Sequence, residues 1–364
     1  MSTLFQTLLD FMPQLQRPYS GGYLLYFAFI LALSLFFCMR PNIRNENFAF
    51  CVAGSILIAF ALLRPIGIGI DDPAYVAIPR EICAFFECFK PVQSTRDFFW
   101  YGSISILKSM MTGPQAVFSL AAITVFLQLY IIHSLCKQKM LALTFFASHV
   151  YLLFDITIFR AGLALTVYFL AIYFLVKNRR IIGCGLLAGN FLFHSQGIFS
   201  IGLLPMHWLA KRKRVCMAIG SLCLIGIYLK LTPNLHQLSY IAKAEAADYI
   251  AQAFNGQFVK DHVFPQFGLV LVAFLSIAYI FNKKLLGNAR VNDYVLASAM
   301  LALILAWFFA PITGIQLRLF DFYIAPLIFL AGNLKRNIYS FLLVAVSSSL
   351  LVGRLIFLRN FIMG

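Results

Sequence analysis

Charge is the scarce commodity in this chain. Only 12% of its 364 residues are Asp, Glu, Lys or Arg, against roughly 25% in a soluble domain, and just 13 are acidic. So little charge cannot cover a water-facing surface, which excludes a soluble enzyme, a disordered chain and a secreted disulfide scaffold. No His, Cys and Asp cluster has zinc-ligand spacing and no glycine-rich phosphate loop appears, so metal- and nucleotide-dependent chemistry gains no support and no cofactor is expected. Segments of alternating polarity are missing, which argues against a transmembrane β-barrel. Internal repeats are missing too, which removes the usual signature of a repeat-built transporter. The first twenty residues have no basic start followed by an apolar core, so no cleavable signal peptide is expected.

What the chain has is apolar length. It is 62% hydrophobic and 16% aromatic, with 39 Phe, and it reads as an all-α polytopic membrane protein, a single integral membrane domain over residues 1–364. Apolar runs between basic punctuation give about 12 transmembrane helices, near 21–39, 48–63, 115–136, 140–154, 158–176, 181–193, 197–210, 215–231, 265–281, 294–311, 319–333 and 338–353. Alternate connections hold Arg40/Arg44, Lys137/Lys139, Lys177/Arg179/Arg180, Lys211–Arg214, Lys283/Lys284/Arg290 and Lys335/Arg336, with only Glu46 and Asp293 as acids. Basic residues in short loops mark the cytoplasmic side, so both termini are expected outside. The formal charge of +16 is then mostly an orientation signal, and no nucleic-acid partner is expected.

Two outer segments are too long for turns. The first, 64–114, is interrupted by Pro65, Pro73, Pro79 and Pro91 and ends in an amphipathic stripe of Trp100, Ile104, Leu107 and Met111, expected as an interfacial helix. The second, 232–265, is more polar. Loops of this length usually bind or cover something. Leu4, Leu8, Phe11 and Leu15 suggest another interfacial helix at the N-terminus, with a disordered tail as the alternative. Cys83 and Cys88 share the first outer loop; an oxidising compartment permits a disulfide there, provided the backbone between them is irregular.

Ionisable groups at span ends are candidates for function, and they collect on the outer side. Arg64 ends the second span and is followed by GIGIDDPAY, with Asp71 and Asp72. Asp155 and Arg160 flank the start of the fifth span, His194 ends the sixth, and Arg318 and Asp321 lie at the start of the eleventh. Singly, each arginine could snorkel to lipid phosphate, Asp71/Asp72 could form a turn, and His194 could be a satisfied helix-end residue. Together, on one side and at one depth, they suit a shared site. Forked arginines bind a diphosphate, and Asp or His accepts a proton from an attacking hydroxyl. Tyr75, Trp100 and Tyr323 are candidate stacking surfaces for sugars. A lipid-diphosphate-linked sugar meets these requirements.

The same residues fall into a known pattern. Arg64 with Gly69-x-Asp71-x3-Tyr75, then FRAGLA at 159–164, FH at 193–194, and Arg318-x4-Tyr323 resemble, in order, the EpsG/Wzy family of polysaccharide polymerases. The position after the second arginine, often Gln in that family, is Ala161 here, and Asp72 directly follows the motif residue Asp71. The resemblance implies an O-antigen or capsular polysaccharide polymerase, a metal-independent glycosyltransferase in the bacterial inner membrane with its site facing the periplasm. It would move a glycan from undecaprenyl diphosphate onto a lipid-linked repeat unit. Arg160 and Arg318, with Arg64 as a third, would hold the leaving diphosphate, and Asp71 or His194 would orient or deprotonate the acceptor. The outer loops would bind sugars, and a chain-length regulator is a possible partner. An O-antigen ligase, another lipid-linked glycosyltransferase, and a lipid-linked oligosaccharide flippase or transporter remain as alternatives.

Overall fold

The computed structural model describes residues 18–40, 43–63, 97–111, 113–228, 231, 289–310 and 313–362. Arg64, Asp71, Asp72, Tyr75, Cys83, Cys88, the second outer loop and the expected span at 265–281 lie outside the described residues. No β-strand occurs among the described residues. Among the described residues, six stretches are long and apolar enough to cross a bilayer: Gly22–Met39, Arg44–Leu63, Pro114–Leu135, Lys139–Ile156, Phe159–Val176 and Arg290–Phe308. The chain is therefore a multi-pass membrane protein whose described elements are helical.

Several expected spans are subdivided. Residues 319–333 form two helices, α11 (Thr313–Ile324) and α12 (Leu327–Ala331), parted at Pro326, which cannot continue the helix before it. The expected span at 181–193 is α7 (Arg180–Gly189) followed by a tight turn of 3₁₀ helix, Asn190–Leu192. Residues 197–210 begin as 3₁₀ helix, Ser195–Gly202, and only then become α8 (Leu203–Ala210). The residues group into two units, Met1–Ile198 with Ile328–Gly364, and Phe199–Leu327.

The first unit is built from α1 (Pro18–Met39), α2 (Ile43–Leu63), α3 (Phe98–Lys108), α4 (Gly113–Leu135), α5 (Lys139–Phe145), a π-helical segment (Phe146–Thr157), α6 (Phe159–Val176), α7 and α13 (Ile338–Ile362). Its centre is the run α5–π–α6, where Phe145, Phe146, Tyr151, Phe154, Tyr168 and Phe169 are all fully enclosed. On α1 and α2, by contrast, Leu25, Phe29, Phe36, Phe48, Ile56 and Leu63 lie exposed. In water such faces would aggregate; on a membrane protein they are the surface offered to lipid.

One end of this unit is held by polar groups. The buried Glu46 pairs with Arg336 and accepts the Met140 amide at 3.2 Å, so its carboxylate caps the start of α5. Gln138 donates its backbone amide to Gly332 O at 2.7 Å and its side chain to Leu334 O, while Asn333 Nδ2 donates to Leu135 O at 2.9 Å and Lys139 to Asn47. The start of α2 and the segments carrying Lys137/Lys139 and Lys335/Arg336 thus meet at one end of this unit. Arg160, at the start of α6, belongs to the opposite end.

In the second unit α8, α9 (Lys213–Tyr228) and α11 pack on α10 (Ala289–Phe308). Ser298 Oγ donates to Tyr323 O at 2.6 Å, Gln316 Nε2 to Ala306 O at 2.9 Å, and the His207 ring stacks on Tyr294 at 3.9 Å.

Removing one member of a buried ion pair leaves the other uncompensated, which costs on the order of 3 kcal/mol. Glu46→Ala is therefore expected to lower the midpoint of thermal unfolding in detergent clearly, whereas Glu46→Gln, which still accepts the Met140 amide, recovers part of the loss. Equal midpoints for wild type and Glu46→Ala would contradict the role given to this pair.

Candidate functional site

Arg160 and His194 converge on a third residue that the sequence reading did not single out. Asp97 Oδ2 lies 3.0 Å from Arg160 Nη1, and Asp97 Oδ1 lies 3.3 Å from His194 Nδ1. One carboxylate bridges two potential cations, and it is the most enclosed of the three: side-chain exposure is 8% for Asp97, 15% for His194 and 37% for Arg160. The guanidinium keeps its open edge while its inner edge is held.

Each side chain is placed by local structure. Asp97 immediately precedes α3 with φ 57° and ψ 34°, the left-handed region that Asp enters more readily than most residues. Asp at this position usually turns its carboxylate onto the helix N–H groups; here it makes no such cap, and only its carbonyl accepts the Tyr101 amide, at 3.1 Å. The carboxylate is left for Arg160 and His194. The helix that carries it is docked by apolar contact, with Trp100 and Ile104 buried among Val117, Phe118 and Leu120 of α4 and Phe159 and Leu163 of α6. Phe99 stacks on Phe193 at 4.9 Å, which brings the start of α3 beside His194.

Arg160 sits in the first turn of α6. A cation there opposes the helix dipole, so Asp97 offsets an unfavourable placement. Helix end and guanidinium together form an electropositive pole suited to a phosphate. The glycine of FRAGLA has a steric reason: a Cβ on Gly162 would stand 2.7 Å from Phe154 O and 3.0 Å from Asp155 Oδ1, because α6 starts directly against the end of the π segment. His194 lies in the break between two 3₁₀ turns, and its carbonyl accepts the Gly197 amide at 2.8 Å. A Cβ on Gly197 would fall 2.5 Å from Asn190 O, so this turn too is closed against its own helix.

Other expected residues are placed differently. Trp100 and Tyr323, expected as sugar-stacking surfaces, are core side chains with 1% and 0% exposure. The stripe that put Trp100 on an amphipathic helix turns it inward against α4 and α6. The Tyr323 hydroxyl is 3.2 Å from Ser200 Oγ inside the second unit. Arg318 is exposed on α11 of that unit, and Asp321 is buried on it. Arg64, Asp71 and Tyr75 lie outside the described residues.

Among the described residues no group of three or more His, Cys, Asp or Glu side chains is arranged to hold a metal. What fold and site define is a helical multi-pass membrane protein with a partly enclosed Arg–Asp–His cluster at one end of its first unit. Residues 47–362 match the family model described as EpsG family, and the chain belongs to that family. Comparison with curated proteins found no match, and comparison with solved structures found none either. Membership makes this a membrane protein of the polysaccharide-polymerase type, a family associated with glycosyltransferase activity.

A side chain forced into either closed turn costs about 1–3 kcal/mol. Gly162→Ala and Gly197→Ala are expected to lower the thermal midpoint in detergent. Gly185→Ala on α7, where nothing lies within 4 Å of the added carbon, is expected to leave it unchanged or raise it. A Gly197→Ala protein as stable as wild type would remove the steric account of the His194 turn.

Proposed function

We propose that this chain is an O-antigen or capsular polysaccharide polymerase of the bacterial inner membrane, working at the periplasmic face. The donor is a glycan on undecaprenyl diphosphate and the acceptor is the non-reducing sugar of a lipid-linked repeat unit. The observation that carries the reading is the Asp97 carboxylate held between Arg160 and His194, because it gives each residue a defined chemical state.

A carboxylate only accepts hydrogen bonds, so His194 Nδ1 carries the hydrogen that faces Asp97. Nε2 is then the basic nitrogen, and Asp97 stabilises the imidazolium formed when it takes a proton. In the proposed step the acceptor hydroxyl oxygen attacks the anomeric carbon of the donor, with inversion. The new glycosidic C–O bond forms as the bond from that carbon to the diphosphate oxygen breaks. The electron pair leaves on the diphosphate, and the hydroxyl proton passes to His194 Nε2. Arg160 meets the charge that grows on the diphosphate, with the dipole of α6 aligned behind it. No step needs an oxidant or a further reactant. The family resemblance extends the diphosphate role to Arg318 and Arg64 and offers Asp71 as an alternative base, while the outer loops 64–114 and 232–265 bind the sugars.

The test is a deletion strain complemented with variants, its surface polysaccharide separated on a gel. Deletion is expected to collapse the ladder to a single capped repeat. Loss of all capping would indicate a ligase or a flippase, and an unchanged ladder would reject all three. Among variants, Arg160→Ala is expected to cut chain elongation about 10²–10³-fold and His194→Ala about 10²–10⁴-fold, with protein levels in the membrane maintained. Asp97→Asn keeps size but not charge and should approach the His194 variant. Long chains persisting in both Arg160→Ala and Asp97→Asn would sink the proposed chemistry.

A further inference from the structure

The second unit carries a basic corner that the chemistry above does not use. α8 ends at Ala210 and α9 begins at Lys213. The turn between them is closed by Arg212 N donating to Leu209 O at 2.7 Å and Val215 N donating to Arg212 O at 2.9 Å. It brings Lys211, Arg212, Lys213 and Arg214 together, and no Asp or Glu occurs anywhere from 195 to 228. The His207 ring, stacked on Tyr294, sets this corner beside the start of α10. There Arg290 adds a fifth cation, and the one acid of α10 is Asp293, a half-buried neighbour of His207.

Cations gathered this densely repel one another, and the local structure adds to the strain. Lys213 and Arg214 fall in the first turn of α9, which has no acid to answer the positive helix end. Lys211 and Arg212 lie exposed, and their side chains make no hydrogen bond or ion pair among the described residues. What holds Arg212 is the Trp208 ring, whose centroid is 4.5 Å from the guanidinium carbon. That contact leaves the guanidinium N–H donors unspent.

Apolar surface flanks the corner on both arms. Ile201, Pro205 and Trp208 lie exposed at helical spacing on one arm, and Val215, Leu222 and Ile225 on the other. The opposite faces are spent on packing, with Leu203, Ala210, Cys216 and Cys223 buried. Unpaired cations between two outward apolar stripes match a ligand that is anionic at its head and apolar in its tail. A free anion answers the charge but not the stripes. A zwitterionic lipid answers the stripes but brings a cation of its own to the corner.

We propose that the turn between α8 and α9 binds an anionic phospholipid. Its phosphate lies against Lys211 and Arg212 at the head of α9, and its acyl chains run along the exposed stripes of the two helices. Trp208 stands at headgroup level, which suits its amphipathic ring, and keeps the guanidinium at that depth. The lipid charge offsets both the crowded cations and the opposed dipole of α9. This binding does not rest on the reaction assigned above.

The experiment is thermal unfolding of the purified full-length chain in a neutral detergent. It is titrated with phosphatidylglycerol, with phosphatidylcholine of the same acyl chains, or with inorganic phosphate. Phosphatidylglycerol is expected to raise the midpoint by about 2–4 °C over phosphatidylcholine, saturating with concentration. The shift should vanish in Lys211→Gln/Arg212→Gln, whose midpoint in phosphatidylcholine stays near wild type because both side chains are exposed. It should persist in Arg179→Gln/Arg180→Gln, which removes the same charge from exposed residues of the first unit. Equal wild-type midpoints in the two lipids overturn the proposal, as does an equal shift with inorganic phosphate alone. So does a shift that survives Lys211→Gln/Arg212→Gln, or one lost equally in the Arg179/Arg180 control.

Discussion

A carboxylate enclosed in protein must be answered by positive charge, and at Asp97 that requirement organises one end of the first unit. Arg160 arrives from the first turn of α6 and His194 from the break after α7. Neither would hold its place alone, since a cation at a helix N-terminus opposes the dipole and a histidine between two short 3₁₀ turns has little regular backbone to fix it. Three elements distant in sequence become one site because one carboxylate has two oxygens and each finds a partner.

Apolar packing brings the carboxylate there. Trp100 and Ile104 are what dock α3, and the Phe99–Phe193 stack sets its position against the His194 turn. Charge and packing share one short helix: its inward stripe supplies burial and the residue just before it supplies the carboxylate. The glycines at 162 and 197 serve the same end, permitting approaches at which any side chain would collide with main chain. Precision in the charged cluster thus depends on closeness in uncharged backbone.

The class of fold was legible because scarcity of charge is a whole-chain property, and the longest apolar runs appear as helices. Arg160 and His194 were legible because an ionisable group at a span end is costly wherever it occurs. Asp97 escaped because an acid just ahead of an amphipathic stripe reads as an ordinary helix cap, and only the left-handed backbone reveals that it turns elsewhere. Trp100 and Tyr323 misled for the opposite reason. In a chain this rich in aromatics a ring signals burial at least as often as recognition. The π segment over residues 146–157 left no trace, since a change of helix type inside a hydrophobic run alters neither its length nor its composition.

The two-part composition of the first unit has a consequence in time. Glu46 and Arg336 are separated by 290 positions, and residues 199–327, which belong to the second unit, are made in between. At roughly 5–20 residues per second, Glu46 waits tens of seconds after its synthesis for its partner to emerge from the ribosome. During that interval the carboxylate has to stay at the aqueous face while α1, α2, α4 and α6 enter the bilayer. Closure of the unit is thus one of the last events of biogenesis, and a chain truncated before residue 336 would leave the Glu46 carboxylate without its guanidinium partner.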